Sequence, residues 1–348
     1  MHTLELVARF QVSGNVGEAQ AFGNGHINDT YKILNGETGR PEYVLQRINT
    51  QIFTNVPRLM QNMAGVLRFI EQKPEFQGLS PALIPTKLGN YFVENTEGFW
   101  RMFHFVEGLS LDRPATSKQA YHGAFGYGKF LKALDGYPLN SLHTTLPNFH
   151  NINYRLHQFD EALKQFPPDR RGQAEIAVKS VQQKRGEMSR VFELASSGSI
   201  PLRVTHNDTK FNNVRLGLDG KSSTVIDLDT VMPGFSFFDV GDGLRSAAIS
   251  ADEDEPDLRK VKLNPTLYDS FLEGYLDAAS DILTTNEKKL LPKSGEYMAF
   301  IMGVRFLTDF LNGDVYYKTN YPNHNLVRAN NQLFVSDLFG GKSKSTSN

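Results

Sequence analysis

The sequence predicts an α+β fold of two lobes, in which a small β-rich lobe precedes a larger, mainly helical lobe. Strand-like segments with frequent turns fill roughly the first hundred residues, whereas helical patterns dominate from about residue 107. With 348 residues, the chain is long enough for each lobe to have its own hydrophobic core. We place the connection in FHFVEG, residues 103–108, and expect an N-terminal lobe of residues 1–106 and a C-terminal lobe of residues 107–348.

The first lobe has the pattern of a β-hairpin, a helix and a second β-hairpin. Residues 30–49 contain two alternating apolar runs around a Gly- and Pro-containing connection, and residues 90–108 contain two more, with a turn at 95–98. Asn55 and Pro57 mark the start of the helix between the hairpins. Apolar residues then recur at helical spacing, and they are Val56, Leu59, Met60, Met63, Val66, Leu67 and Ile70.

The second lobe contains several helical patterns and two short strand-like runs. The helical patterns cover roughly residues 117–134, 153–165, 173–196, 266–279 and 295–311. The strand-like runs are LRVTHND, residues 202–208, and STVIDLD, residues 223–229. The low-complexity end, GGKSKSTSN, predicts a frayed terminus.

Composition and charge exclude several classes of function. The chain has 37 basic and 38 acidic residues, so its charge gives no attraction toward nucleic acid or a membrane. The absence of cysteine excludes disulfides, thiolate zinc sites and cysteine nucleophiles, and it is typical of a reducing compartment. The start, MHTLELVARFQVSG, lacks the features of a secretory signal. We therefore expect a cytoplasmic protein with no nucleic-acid, membrane or obligate protein partner.

The segment THNDTKFNNVRL, residues 205–216, carries the strongest chemical signal. His206, Asp208 and Asn213 have the order and spacing of a catalytic loop of the protein-kinase type. In such a loop the Asp accepts the proton of the attacking hydroxyl, and the Asn oxygen binds magnesium, which prefers oxygen ligands. Lys210 can neutralise charge on the transferring phosphoryl group. We therefore predict Asp208 and Lys210 as catalytic residues and Asn213 as a metal ligand.

A further acidic pair follows on the next strand-like run. Asp227 lies fourteen residues after Asn213, beyond the turn GLDGKS, and kinase-type enzymes have their second metal-binding Asp after such a hairpin. We predict Asp227 as a metal ligand. Asp229 points to the same side of an extended chain and is a secondary candidate for a metal or a metal-bound water. Each of these motifs alone is common in surface turns, and it is their order that favours phosphoryl transfer.

The segment FGNGHINDTY, residues 22–31, is a weaker signal. A Gly-x-Gly turn is common, but no Walker lysine follows it and no parallel βαβ unit surrounds it. Because it lies in the lobe opposite Asp208, we predict that Gly23, Asn24 and Gly25 form a lid over the phosphates of the nucleotide. We expect Asn28 to hold the turn of the loop itself.

Several segments together resemble a known family. FGNGHINDTY, YVLQRIN, LPNFH, HNDTKFNNV, VIDLDTVMPG, FDVGDGLRS and FLNGDVYYKTNYPNHNLVRANNQ are similar to the N-acetylhexosamine 1-kinases, within the aminoglycoside phosphotransferase and choline kinase superfamily. The resemblance runs from about residue 21 to about residue 338. The catalytic-loop motif is shared by the whole superfamily, whereas the VIDLDTVMPG and GDVYYKTNYPNHNL segments are more specific to the 1-kinases.

The resemblance implies a protein-kinase-like two-lobe fold and assigns roles to residues. It implies that Asp208 is the catalytic base, that Asn213 and Asp227 hold Mg²⁺, and that His206 and Asp242 support the catalytic loop by hydrogen bonds. It also implies that the adenine of ATP lies against the backbone of the connection between the lobes. The residues concerned are Met102, Phe103, His104 and Phe105.

One part of the superfamily pattern is altered in this chain. The superfamily places a cation on the third strand to hold the nucleotide phosphates, and the candidate in YVLQRIN is Arg47. The alternative is an exposed Arg on a strand edge. The acidic partner of that cation normally lies on the following helix, but this helix has Gln61 and no carboxylate before Glu71. An ordinary ion pair is therefore in doubt, although an Arg stays charged without one.

The sugar-binding residues follow mainly from the resemblance. A sugar needs polar groups for its hydroxyls and an aromatic surface for its apolar face, and the candidates are Arg305, Tyr317 and Tyr316. The alternative is that these are core tyrosines and that Arg305 forms a structural ion pair with a nearby Asp. His26 is a candidate for contact with the acceptor, and its alternative is a solvated loop histidine. Asp208 would contact the reacting hydroxyl.

Three functions remain open on the sequence. The first is an ATP- and Mg²⁺-dependent kinase that phosphorylates the anomeric hydroxyl of N-acetylglucosamine or N-acetylgalactosamine. The second keeps the chemistry and changes the acceptor to a choline, homoserine or aminoglycoside type of alcohol. The third is an inactive nucleotide-binding module, against which the complete set of Asp208, Lys210, Asn213 and Asp227 argues.

Overall fold

The N-terminal part of the computed structural model is an antiparallel sheet with one long helix. The structure describes residues 3–22, 27–165 and 168–345. Its five-stranded sheet has the order β1-β2-β3-β5-β4, with every neighbouring pair antiparallel. The elements in chain order are α1 (Thr3–Val7), β1 (Val16–Ala21), β2 (Asp29–Asn35), β3 (Pro41–Ile48), α2 (Val56–Glu71), β4 (Val93–Asn95) and β5 (Gly98–His104).

Helix α2 forms where the sequence predicts it. The side chain of Asn55 caps its first turn by accepting from the backbone N–H of Arg58, and Pro57 occupies the first turn, where no backbone donor is needed. All seven residues of the predicted apolar stripe are buried. They pack toward the large core that α2 shares with the C-terminal lobe, whereas α1 covers a separate small core on the other side of the sheet.

The C-terminal part is mainly helical and contains five short strands. They form two small antiparallel sheets, one of β7 with β10 and one in the order β6-β8-β9. The elements in chain order are β6 (Leu109–Ser110), α3 (Ser117–Ala133), α4 (Ile152–Gln165), α5 (Pro168–Leu194), β7 (Arg203–Thr205), β8 (Val214–Leu216), β9 (Ser223–Val225), β10 (Met232–Gly234), α6 (Ser236–Ala247), α7 (Pro265–Ala279), α8 (Thr285–Leu311) and α9 (His324–Ser345).

Close helix packing in this lobe depends on glycines. A Cβ at Gly274 of α7 would lie 2.2 Å from the carbonyl oxygen of Tyr121 in α3, and a Cβ at Gly128 of α3 would lie 2.6 Å from the carbonyl oxygen of Tyr275. Real Cβ atoms cannot approach backbone so closely, so only glycine lets α3 and α7 come together at this distance. The packed helices form the base on which the short strands and their loops are held.

The fold confirms the two-lobe kinase-like architecture and corrects some details. Helix α8 begins ten residues earlier than predicted, because Thr284 and Glu287 cap it reciprocally upstream of Pro292. Helices α6 and α9 were not predicted, and α9 continues to Ser345 where the sequence suggests a frayed end. The division of the chain at residues 106 and 107 stays a prediction. Within the described ranges no helix is long and apolar enough to cross a membrane.

The α3–α7 contact predicts the effect of a single added methyl group. Gly274→Ala should lower the free energy of unfolding by about 1–3 kcal/mol, because the added Cβ forces backbone apart. Gly186→Ala is the control, since a Cβ at Gly186 of α5 meets only the Arg190 side chain, at 3.8 Å. That change should raise the free energy of unfolding by about 0.5–1 kcal/mol through helix propensity. Urea unfolding measures both, and equal effects would contradict the packing argument.

Candidate active site

The loop after β7 is held rigidly from beneath by a buried carboxylate. Asp239 on α6 accepts hydrogen bonds from the backbone N–H groups of His206, at 2.9 Å, and Asn207, at 2.7 Å. Asn207 has a positive φ of 64°, a left-handed conformation that Asn tolerates. The ring of His206 is fully buried and its Nε2 donates to the carbonyl oxygen of Ile226 at 2.9 Å. These bonds fix the backbone that leads into Asp208.

The sequence predicts that His206 and Asp242 support the catalytic loop by hydrogen bonds. In the structure His206 has this role, whereas Asp242 does not bond the loop. His206 does connect the loop to the strand region before Asp227. Asp242, one helical turn beyond Asp239, instead pairs with Arg245 at 2.8 Å on the same helix. The carboxylate that holds the loop is therefore the first Asp of FDVGD and not the second. Burial raises the pKa of Asp239 to about 7, although its two backbone donors oppose the shift.

Asp208, Lys210 and Asn213 lie together at the end of this loop. The amide nitrogen of Asn213 donates to the backbone carbonyl oxygen of Asp208 at 2.8 Å and to its carboxylate at 3.1 Å. The Nζ of Lys210 lies 3.9 Å from the other carboxylate oxygen of Asp208. The negative charge of Asp208 raises the pKa of Lys210. Because Asn213 uses its nitrogen on Asp208, its side-chain oxygen is the atom available for a cation.

Asp227 faces the same cluster from the loop after β9. Its backbone is left-handed, with a φ of 60°, and it precedes a short turn at residues 228–230. Burial and the negative charges of Asp229 and Asp208 raise the pKa of Asp227 to about 7. Within the described part of the chain no hydrogen bond to its carboxylate is seen. A cation would stabilise the charged form of this half-buried carboxylate, which lies close to two other carboxylates.

The donor set fits magnesium better than a metal held by protein alone. The described residues contain no group of three His, Asp or Glu side chains placed to hold a metal ion. Magnesium commonly binds one or two carboxylates and completes its octahedral shell with waters and phosphate oxygens. The unbonded carboxylate of Asp227 and the side-chain oxygen of Asn213 suit that mode of binding.

Asp229 does not have the free oxygens of a metal ligand. Both of its oxygens accept from the guanidinium of Arg101, and one also accepts from the side-chain nitrogen of Asn28 at 2.7 Å. Its side chain is only 4% exposed. The expectation that Asp229 contacts a metal is therefore replaced by a buried ion pair.

The structure does not bring Arg47 to this cluster. Arg47 pairs with Asp29 of β2 and is 45% exposed, which matches the alternative of an exposed Arg. Residues alternate in direction along a strand, so its neighbour Gln46 points to the opposite face of β3. There Gln46 contacts Arg101 of β5. Arg101, and not Arg47, is therefore the side chain that pairs with a carboxylate of the C-terminal lobe.

The connection between the lobes has part of its backbone engaged inside the sheet. The carbonyl oxygen of Met102 accepts from Ile84, and the N–H groups of His104 and Phe105 donate to nearby carbonyl oxygens. Three backbone groups that could form hydrogen bonds with an adenine are thus already bonded to other backbone groups of the protein. Adenine binding at Met102, Phe103, His104 and Phe105 stays a prediction.

Arg305 and Tyr317 lie together in a pocket of about 190 Å³ between α8 and the segment that follows it. The guanidinium of Arg305 lies 4.9 Å from the ring centre of Phe149 and 5.6 Å from that of Tyr317. The nearby Asp309 accepts from the backbone of residues 315–317 and from Asn325, and it makes no ion pair with Arg305. The alternative of a structural Arg305–Asp pair is thus not seen.

Arg155 of α4 is the second cation of this pocket. It donates to the side chain of Gln158 and to the carbonyl oxygen of Phe149, and its buried Nε has no partner among the described residues. Burial and the charge of Arg305 lower its pKa to about 10. Of the two guanidinium groups that face this pocket, neither is paired with a carboxylate of the described residues.

The predicted lid residues Gly23, Asn24, Gly25 and His26 lie outside the described residues. The loop's downstream end is described at Asn28, whose side chain bonds Asp229 and accepts from the backbone N–H of Asn49 at 3.0 Å. Asn28 thus anchors the loop to the opposite lobe, which goes beyond the expected role within its own turn.

Sequence reasoning missed Arg101, Asp239 and Arg155. Arg101 did leave a signal, because it is a single charge inside the apolar run GFWRMFHF of a predicted strand. Asp239 was masked by Asp242 three residues later, and the sequence alone gives no reason to choose between them. Arg155 lies on a helix with several polar residues, and nothing in the sequence distinguishes it.

The fold and this cluster define a phosphotransferase of the kinase-like type. Residues 18–284 match the model of the phosphotransferase enzyme family that is designated APH, and the chain belongs to that family.

Solved structures with the same fold include an aminoglycoside phosphotransferase from Alicyclobacillus acidocaldarius, with a TM-score of 0.66 and 13% identity, over 98% of this chain and 94% of that one. A spectinomycin phosphotransferase in complex with ADP and spectinomycin gives a TM-score of 0.61 and 14% identity, over 97% of each chain. An ethanolamine kinase from Plasmodium vivax gives 0.58 and 15%, over 90% of this chain and 82% of that one. At these identities the likeness shows the fold.

The site predicts a loss of stability at acid pH through His150. Its Nε2 donates to the carbonyl oxygen of Asn207 at 2.8 Å, and its Nδ1 is buried without a partner among the described residues. Burial lowers the pKa of His150 to about 4. Between pH 6.5 and 4 the unfolded state therefore binds a proton that the native state does not, so stability falls as the pH falls, by up to about 3 kcal/mol for this residue.

Unfolding free energies measured from pH 7 to pH 4 check this expectation. His150→Gln keeps a donor for Asn207 and removes the titrating group, so its stability should fall less steeply than that of the wild type. The same pH dependence in both proteins would show that other groups are responsible.

Proposed function

We propose that this protein is an ATP- and Mg²⁺-dependent kinase that phosphorylates the anomeric hydroxyl of N-acetylhexosamines. The observation that carries the phosphotransfer part is the convergence of Asp208, Lys210, Asn213 and Asp227 from two adjoining loops. The sugar part rests on the resemblance of the sequence segments to the 1-kinases and on the chemistry of the pocket at Arg305.

In this mechanism Asp208 accepts the hydrogen bond of the acceptor hydroxyl and orients it for in-line attack. The amide of Asn213 holds the Asp208 carboxylate in place, so catalysis comes mainly from positioning. Lys210 balances charge on the transferring group. Bound Mg²⁺, held by Asn213 and Asp227, would supply further neutralisation of the phosphate oxygens.

We infer that the nucleotide binds between the lobes, with its phosphates on the side of the segment that ends at Asn28. Support comes from the family and from the relative crystallised with ADP, whose fold extends over 97% of this chain. In this arrangement Met102, Phe103, His104 and Phe105 border the adenine, and Gly23, Asn24 and Gly25 cover the phosphates.

We take the pocket at Arg305 as the acceptor pocket on the resemblance to the 1-kinases, and its charge favours a neutral polyol over a cationic alcohol. Among the described residues Arg155 and Arg305 face it without carboxylate pairs, and Asp309 in its lining has both oxygens taken by backbone N–H groups and Asn325. Such a pocket disfavours cationic aminoglycosides or choline. Guanidinium donors suit hydroxyl and acetamido oxygens, and the ring of Tyr317 in the lining suits the apolar face of a sugar. This assigns Arg305 and Tyr317 to the substrate, with His26 as a further candidate.

A second pocket, of about 350 Å³, borders Lys210 and does not favour a cationic acceptor either. Its acidic members, which include Asp252, Glu253 and Asp254, are balanced by an equal number of basic side chains. Glu253 is paired with the buried Arg245, and Asp252 with Arg113. Little of its negative charge is therefore left for a cationic ligand.

A panel of acceptors tests the substrate class. With Mg-ATP, ADP release should be fastest with N-acetylglucosamine or N-acetylgalactosamine and should be near background with choline, homoserine and aminoglycosides. The product should carry its phosphate on the anomeric oxygen. A 6-phosphate product would refute the anomeric assignment, and ATP binding without turnover on any alcohol would favour an inactive module.

Replacement of the base tests the mechanism. Asp208→Asn keeps the size of the side chain and removes its capacity to accept the proton, so turnover should fall by a factor of about 10² to 10⁴. Nucleotide affinity should change little, because Asp208 contacts the acceptor. Asp160→Asn on α4 is the control and should keep wild-type turnover. Wild-type turnover in Asp208→Asn would eliminate the base assignment.

A further inference from the structure

We propose that Arg101 and Asp229, with Gln46 and Asn28, hold Asp227 in a fixed position relative to β3 and β5 of the N-terminal sheet. The four residues join β3, β5 and the end of the loop before β2 to the segment after β9. Arg101 is thus a positioning residue that supplies, from β5, the cation missing from the inner face of β3. The proposal rests on the nucleotide-binding part of the proposed function and does not depend on the acceptor.

The superfamily pattern predicts a cation on the inner face of β3 and its carboxylate partner on α2. Both positions hold neutral side chains in this protein. Gln46 occupies the inner face of β3, and Gln61 of α2 is exposed and bonds His143 at 2.9 Å. Helix α2 instead contributes the sulfur of Met63, which lies 3.8 Å from the Nη1 of Arg101. The positive charge is therefore supplied by Arg101 of β5, and the carboxylate that pairs with it is Asp229 of the C-terminal lobe.

All five N–H donors of Arg101 are used within the protein. Its Nε and Nη2 donate to the side-chain oxygen of Gln46 at 3.0 and 2.9 Å. Its Nη1 and Nη2 hold the two oxygens of Asp229 in a bidentate pair, and Met63 takes the remaining donor. Arg101 has no donor left for a phosphate oxygen, which is why we assign it to positioning and not to direct contact with ATP.

Burial makes this pair a rigid connection. The side chains of Arg101 and Asp229 are 1% and 4% exposed. An Arg–carboxylate pair with a fork geometry fixes orientation as well as distance. Separation of the two charges inside the protein would leave each without compensation. The two lobes are therefore held in one relative position at this point.

The connection reaches the chemistry through very short segments of chain. Asp229 is two residues beyond Asp227, within the tight turn at residues 228–230. Asn28 joins the same carboxylate, and its own oxygen accepts from Asn49 after β3. A shift of Asp229 would thus displace the magnesium ligand and the anchored end of the loop together.

The paired change Arg101→Gln with Asp229→Asn tests the proposal without leaving a buried charge. We expect a cooperative unfolding transition and a fall in kcat of about 100-fold, as small misplacements of reacting groups produce. The gain in affinity for a fluorescent ADP analogue on addition of Mg²⁺ should fall by about 10-fold, as loss of supporting partners weakens metal sites. Affinity for the analogue without Mg²⁺ should stay near that of the wild type.

The matched control is Arg185→Gln with Asp160→Asn. This pair is also bidentate, at 2.9 and 2.7 Å, but it joins α5 to α4 and touches no residue of the cluster. It should keep the wild-type kcat and the wild-type response to Mg²⁺. If the Arg101 and Asp229 pair of changes behaved like this control, the proposal would be overturned.

A second variant tests the positioning role if the protein with both Arg101→Gln and Asp229→Asn does not fold. Arg101→Lys keeps the positive charge but cannot span both oxygens of Asp229 and the side chain of Gln46. The proposal expects the same loss of kcat and of the Mg²⁺ response, and wild-type values would overturn it. Because wild-type protein must bind the ADP analogue in this assay, a failure there would refute nucleotide binding itself and is distinguishable from a failure of the positioning role.

Discussion

Buried carboxylates need hydrogen-bond donors or a cation, and this constraint organises the centre of the molecule. Asp239 receives two backbone N–H groups, Asp242 receives Arg245, and Asp229 receives Arg101 and Asn28. Each of these partnerships fixes a piece of backbone around the catalytic loop. Asp227 differs from these three, since no donor to its carboxylate is seen in the described residues, although one buried oxygen of Asp242 also has no hydrogen-bond partner there. Burial and the negative charges of Asp229 and Asp208 raise the pKa of Asp227 to about 7. The bonded carboxylates fix the backbone of the site, and the carboxylate of Asp227 marks where a cation fits.

Local patterns in the sequence were sufficient for much of the fold. The stripe on α2 and the approximate bounds of α3, α4 and α7 follow from helical spacing, and the start of α2 follows from Asn55 and Pro57. Helix α6 was hidden because Gly241 and Gly243 lower helix propensity, although they let α6 pack against α8 and α7. The end of α9 was hidden by its glycines and serines, yet Gly340 and Ser343 belong to the packed helix.

The site was partly predictable for a related reason. The order of Asp208, Lys210, Asn213 and Asp227 lies in a continuous stretch of sequence, so spacing alone shows it. Arg47 and Arg101 lie on opposite faces of the same sheet. A choice between them requires knowledge of which face meets the other lobe, and the sequence alone does not give this. The two cations at Arg155 and Arg305 come from helices that are far apart in sequence, and only the packed structure brings them to one pocket.

The bonds of Asn28 and Arg101 to one carboxylate have a consequence for how a nucleotide enters and leaves. Wide opening about the connection at residues 103–108 would separate the charges of Arg101 and Asp229, and Asn28 would lose its bond to Asp229 as well. Any exchange of nucleotide that needs the lobes to open widely therefore carries the energetic cost of separating this one buried ion pair.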